Sequence, residues 1–371
     1  MIKIDKEKAL RLFTILDKLW QKKEGICEGV VLPQNLQSNP SDPKECALWL
    51  FYCSLPMRGG LVSEDPFKWM YVLKELFPEM FIPEIVCREW TPEKIVNAFQ
   101  VATKKILNGN GVGISGSGAM GYKADEYAGA WFGNSVVLHK YWGGDVRNVF
   151  WGVLDFEEAF RRVDYRHNEA GFKGMRRKIF SLLAIFLQEK GIIPVFPTPI
   201  PIDFHAMRIL WGTEALILNG CAKPFMPKEK HPKSLEGRLS IRVSEKFIDQ
   251  IAKWSQKFLR ENNLSHLNVN PAIWVLSRSL CSEHFQTGSR KDGNEYVDAE
   301  ALLRNKEWPK NYRNPCKYCD IEKLCQWIIP AAPYYRWGYL IRISERVPFP
   351  YETMHLPGLD LKFRSRRKQR R

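Results

Sequence analysis

The sequence predicts a mainly α-helical protein of one large or two modest domains, and three observations lead there. Apolar residues recur at helical spacing through residues 4–22. A capping residue followed by proline, the usual opening of a helix, appears at Asp42-Pro43, Asp65-Pro66 and Thr91-Pro92. The segment Ile179 to Leu187 is apolar on nearly every face, which suits a helix inside a core rather than on a surface. With 371 residues, 45% hydrophobic and 13% aromatic, the chain can bury a substantial core.

Taken in order, residues 4–22 place Leu10, Leu12, Phe13, Ile15, Leu16, Leu19 and Trp20 along a helix that ends at a lysine pair. A loop through Pro33 and Pro40 follows, so 1–40 is read as an N-terminal helix packing on the C-terminal half. Asp42-Pro43 opens a helix to Leu55, ahead of Pro56-Met57-Arg58-Gly59-Gly60. Two or three helices are expected over 66–108. The glycine-rich stretch 108–121 contains Gly116-Ser-Gly118-Ala-Met-Gly121. It lacks the preceding strand and the ribose-binding acid of a nucleotide site, and is read as a loop whose amides could meet phosphate. The aromatics of 122–142 are candidates for a base pocket. Asp155 to Arg162 reads as a helix leading into Gly171-Phe-Lys-Gly174-Met-Arg176-Arg177-Lys178, where the apolar helix begins. Gly191 marks its end, and Pro194, Pro197, Pro199 and Pro201 then carry a stiff, extended chain to Asp203. The next helix is expected to run to about Leu218, closed by Asn219-Gly220. Beyond it lie a basic surface loop over 223–238, helices at Ser244–Asn262 and Pro271–Cys281, a polar insertion over 283–315 and a basic tail from 346 to 371.

A formal net charge of +15 points to a polyanionic partner. Arg176, Arg177 and Lys178 gather just after a glycine, at a helix start whose backbone N–H groups also favour phosphate. Nine cysteines, an odd number scattered in a large chain, suit a reducing compartment and a metal site better than a disulfide framework. No signal peptide or apolar run of membrane length is visible, so the expected setting is cytoplasmic, without a membrane and as a monomer.

Two sets of residues resemble one family. Gly-Met-Arg-Arg-Lys (174–178) followed by Ile-Asp-Phe-His-Ala-Met-Arg (202–208) is similar to the helix-hairpin-helix DNA glycosylases, with their Leu-Pro-Gly-Val-Gly-Arg-Lys and Val-Asp-Thr-His-Val-x-Arg. Downstream, Cys316-x2-Cys319-x5-Cys325 with an Ile-Glu-x-Leu centre, and Cys281 ahead of it, resembles the iron–sulfur branch of that family, which includes endonuclease III and the adenine glycosylases. Arg176 stands where the family has its second hairpin glycine, and 34 residues, Ser282 to Pro315, separate Cys281 from Cys316 where the family has a few.

The resemblance implies two helical subdomains, a helix-hairpin-helix near 160–187 within a core of 41–218, and a cluster-bearing region of 219–345. It implies Asp203 as the catalytic carboxylate and Lys178 as the Schiff-base lysine of bifunctional members. Contacts to double-stranded DNA would come from Gly174, Arg176, Arg177, His205 and Arg208, with Met57 and Arg58 as candidates to wedge into the space left by an extruded base. Cys281, Cys316, Cys319 and Cys325 would hold a [4Fe–4S] cluster. Zinc on the same thiolates stays open. The implied activity is excision of a damaged or modified base, in repair or in defence against modified phage DNA, with AP-lyase activity if Lys178 attacks. The alternatives are a non-catalytic nucleic-acid-binding protein with a structural metal, and an N-glycosidase acting on RNA or nucleosides.

Overall fold

The computed structural model describes residues 3–35, 39–57, 64–108, 124–217, 222–225, 239–243, 245–277, 319–325, 328–331, 338–343, 353–356 and 359–362. It is mainly helical, and the chain divides into two compact units, Val31–Pro201 and a second formed by Met1–Val30 with Ile202–Arg371. The division at 201/202 falls inside the 41–218 stretch read from the sequence as one core.

The Val31–Pro201 unit holds seven of the described helices: α2 (Pro43–Ser54), α3 (Glu64–Leu76), α4 (Pro83–Glu89), α5 (Pro92–Asn108), α6 (Ala124–Trp142), α7 (Phe156–Val163) and α8 (Arg177–Glu189). Helix α2 starts as its sequence dictates: Pro43 occupies the first turn, and Asp42 Oδ1 accepts from Glu45 N at 2.8 Å. Every residue from Cys46 to Ser54 is buried, which makes α2 the axis of this core. It packs on α8, itself buried on almost every face as its apolar run requires. The aromatics of α6 serve the same core. Trp131 stacks on Tyr52 with centroids 4.1 Å apart and donates to the Met80 carbonyl, and Tyr127 is also buried. These two rings pack within this core.

In the other unit, α1 (Lys6–Lys22) buries Ala9, Leu12, Phe13 and Leu16 along one stripe and packs on α11 (His266–Leu276). Asp17 on that helix accepts from Ser265 N at 3.0 Å and Asn268 Nδ2 at 3.1 Å. Phe13 meets Trp254 and Phe258 of α10 (Glu245–Glu261). Three expectations change here. Helix α9 spans Phe204–Gly212 rather than reaching Leu218: Glu214 adopts φ +56°, and Leu216–Ile217 (β2) pairs antiparallel with Lys3–Ile4 (β1). Helix α11 begins at His266 rather than at Pro271 and carries Pro271 inside it, its first turn closed by Asn268 N and Val269 N on the Ser265 carbonyl.

The third change is a sheet in the region read as helical or irregular. Strands β3 (Ala222–Phe225), β4 (Leu239–Val243), β5 (Ile328–Ala331) and β6 (Gly338–Ile343) pair antiparallel in the order β3-β4-β6-β5. Pro224 and Pro330 both fall on its outer strands, where a residue without an N–H is tolerated. A two-stranded pair, β7 (Thr353–Leu356) and β8 (Leu359–Lys362), occupies part of the stretch read as a basic tail.

Candidate functional site

The residues that resemble a helix-hairpin-helix form α7, a turn and α8. Asp155 Oδ1 caps α7 by accepting from Glu158 N at 2.9 Å, and the turn closes on the helix end through Phe172 N to the Val163 carbonyl at 2.9 Å. Gly171 is required at its place, since a Cβ there would lie 2.2 Å from Tyr165 Cα. Phe172 and Met175 are buried, Phe172 edge-on to Phe51 at 4.9 Å, and they anchor the turn. Lys173 is left exposed, and Gly174 adopts φ +84°, a region that favours glycine. Arg176 then serves as N-cap of α8 without a side-chain cap bond, and the first turn of α8 carries no acidic residue, whereas α1, α2 and α7 each open on an aspartate acceptor.

The three cations of this helix start have different places. Arg176 is exposed. Arg177, expected to contact DNA, is buried: its Nη1 and Nη2 meet the two carboxylate oxygens of Glu157, and its guanidinium lies 4.7 Å over the Phe160 ring. Its charge joins the two helices of the hairpin from within. Lys178, the next residue round the helix, is half-buried on that first turn. From the far end of α8, buried Gln188 donates to Thr198 Oγ1 at 2.8 Å, tethering the proline-rich segment that the sequence reads only as stiff.

In the other unit, Asp203 is the N-cap of α9, with Oδ1 accepting from His205 N at 2.8 Å and Ala206 N at 3.1 Å. Two backbone bonds fix the orientation of a half-buried carboxylate. His205, a second expected DNA contact, is buried; its Nδ1 lies 3.0 Å from Ser277 Oγ and its ring stands edge-on to Trp274. Arg208 contributes its backbone to α9, and its side chain lies outside the described residues. Met57 is partly buried against the core, while Arg58 lies outside the described residues. Lys178 and Asp203 belong to different units.

Of the four cysteines, Cys281 and Cys316 lie outside the described residues, and among the described residues no three His, Cys, Asp or Glu side chains gather. Cys319 and Cys325 share one tight turn, closed by Glu322 N to the Cys319 carbonyl and by Cys325 N to the Ile321 carbonyl, with Ile321 and Leu324 buried beneath it. Burial pushes the Cys319 thiol up to about 12, against a backbone hydrogen bond from Ile321 that favours the thiolate. Two half-buried thiols in one turn, one of them receiving an amide hydrogen bond, are donors of the type a thiolate-ligated metal group uses. Gly25, at φ +57°, backs this turn so closely that a Cβ would lie 2.8 Å from Asp320 Oδ1. Sequence reasoning missed that contact, as it missed Ser277, because each partner is distant in the chain.

Comparison with family models, curated proteins and solved structures finds no match to this chain.

Proposed function

We propose that this protein is a DNA N-glycosylase that extrudes a damaged or modified nucleotide and cleaves its glycosidic bond. The observation that carries the reading is the succession of two helices joined by a glycine turn, a cationic helix start bearing Lys178, and an aspartate oriented by two backbone amides. The net charge of +15 supports a polyanionic partner.

In this mechanism Lys173, Gly174 and Arg176 engage a backbone phosphate, and unstacking the target base costs a few kcal/mol, least for a damaged one. The Asp203 carboxylate stabilises positive charge developing at C1′ as the base departs. If the Lys178 amine attacks C1′, the base leaves with its electron pair and a proton, and the resulting Schiff base permits strand cleavage. If water attacks, the product is an abasic site. Cys319 and Cys325, with Cys316 and Cys281, would hold a [4Fe–4S] cluster, or zinc, whose contribution when bound is to fix the loop around it.

We assign as substrate a bulky modified base of the kind found in some phage genomes, because the large N-terminal portion, the proline-rich segment before Asp203 and the insertion at 283–315 exceed what a minimal repair enzyme needs. A panel of duplexes carrying such bases, oxidised bases or deaminated bases, beside RNA and free nucleosides, tests this. Release confined to the bulky bases is the expected result; brisk release of oxidised or deaminated bases alone would sink the assignment. A second reading, a non-catalytic DNA-binding module, draws on the capping role of Asp203, which needs no chemistry. Tight binding without base release from any member of the panel would favour it.

A further inference from the structure

The turn that presents Lys173 and Gly174 is gripped by one side chain of a neighbouring helix. Asn134, on α6, is fully buried, and its amide meets Lys173 twice: Lys173 N donates to Oδ1 at 2.7 Å, and Nδ2 donates to the Lys173 carbonyl at 3.0 Å. The same helix reaches the turn again through Trp142 Nε1, which donates to the Ala170 carbonyl at 3.2 Å. A buried amide with unmet hydrogen bonds is costly, and here both halves are met by one backbone residue at the exposed tip. The Lys173 side chain itself is exposed. The following Gly174 has no side chain to pack and adopts a positive φ, so between the buried anchors Phe172 and Met175 the bonds to Lys173 hold the exposed tip.

Resting on the reading of this turn as a phosphate anchor, we propose that Asn134 is a positioning residue for DNA binding. It holds the tip in one arrangement before DNA arrives, so that Lys173, Gly174 and Arg176 meet a phosphate together and little ordering remains to be done on binding. The residue touches no DNA itself; it acts through the Lys173 peptide.

Asn134→Leu, close in volume, removes both bonds, and Asn134→Ala does so with a smaller side chain should leucine disturb folding. Ser135→Ala is the control: Ser135 is equally buried one residue along α6, bonded to Tyr52 and to the Trp131 carbonyl, and does not reach the turn. Affinity for an undamaged duplex is measured by anisotropy across a salt series, with urea unfolding on the same samples. The Asn134 variants should bind about tenfold more weakly, as loss of a buried hydrogen-bond pair implies. Hydrogen-exchange protection of the Lys173 amide should fall, and Arg176→Ala should cost less in Asn134→Leu than in wild type. Ser135→Ala should lower the unfolding midpoint and keep wild-type affinity. Wild-type affinity in the Asn134 variants while Arg176→Ala weakens binding would overturn the proposal alone, as would equal weakening by Ser135→Ala. A wild-type protein with no affinity for DNA would remove the reading beneath it.

Discussion

Asp203 combines two roles that one substitution can separate. Asparagine caps a helix about as well as aspartate, so Asp203→Asn keeps the bonds to His205 N and Ala206 N while removing the charge; alanine would cost about 1 kcal/mol of cap. A different residue governs pH behaviour. Burial holds His266 well below its ordinary value, at about 4, so the folded protein keeps it neutral where the unfolded chain, at 6.5, takes up a proton. The unfolded state therefore binds more protons across that window, and stability is full above about 6.5 and declines as pH falls toward 4. Thermal melting from pH 7 to 4 should show this slope, and His266→Phe should flatten it; an unchanged slope would show that other groups set it. At this scale the sequence was partly legible. The caps at Asp42 and Asp155 follow from local chemistry, and both accept as their spacing implies. The burial of Arg177 and His205 was not legible, since each is decided by a partner, Glu157 or Ser277, that no local pattern connects to it.

Elements divide along the same line. Helices α2, α7 and α8 were readable because start signals and apolar patterning lie within the segment itself. The short α9 and the strands were not, because β2 depends on β1 at the other end of the chain, and β4 on β6 about a hundred residues later, as in Leu239 with Ile341. The hairpin is one element in this sense, joined by a pair whose side chains are 8% (Arg177) and 34% (Glu157) exposed. Glu157→Gln removes the charge that Glu157 sets against the buried guanidinium and should cost about 1–3 kcal/mol, less than a fully buried pair because Glu157 is partly solvated. Urea unfolding followed at the tryptophans would report it as a lower midpoint, and a midpoint equal to wild type would show that the pair is not holding the helices. For the cysteine turn, Cys319→Ser and Cys325→Ser should each lower bound iron and acid-labile sulfide well below one cluster per chain. Full iron and sulfide in both variants would remove these thiols from the ligand set, and zinc in their place would replace the cluster assignment.

The whole molecule carries its positive excess on a mainly helical frame, and no helix among the described residues is long and apolar enough to cross a membrane. The charge was readable from composition alone. The boundary at 201/202 was not, since it falls inside the 41–218 stretch that the sequence presents as one core. The proposed chemistry names Lys178 in one unit and Asp203 in the other. Its most direct test is base release from modified-base duplexes by the full-length protein beside Asp203→Asn, each with borohydride present. The wild type should release the base while Asp203→Asn binds the same DNA and releases none, and a trapped adduct should form only where Lys178 is intact. Release by Asp203→Asn at the wild-type rate, or no release by either protein despite tight DNA binding, would contradict the glycosylase account.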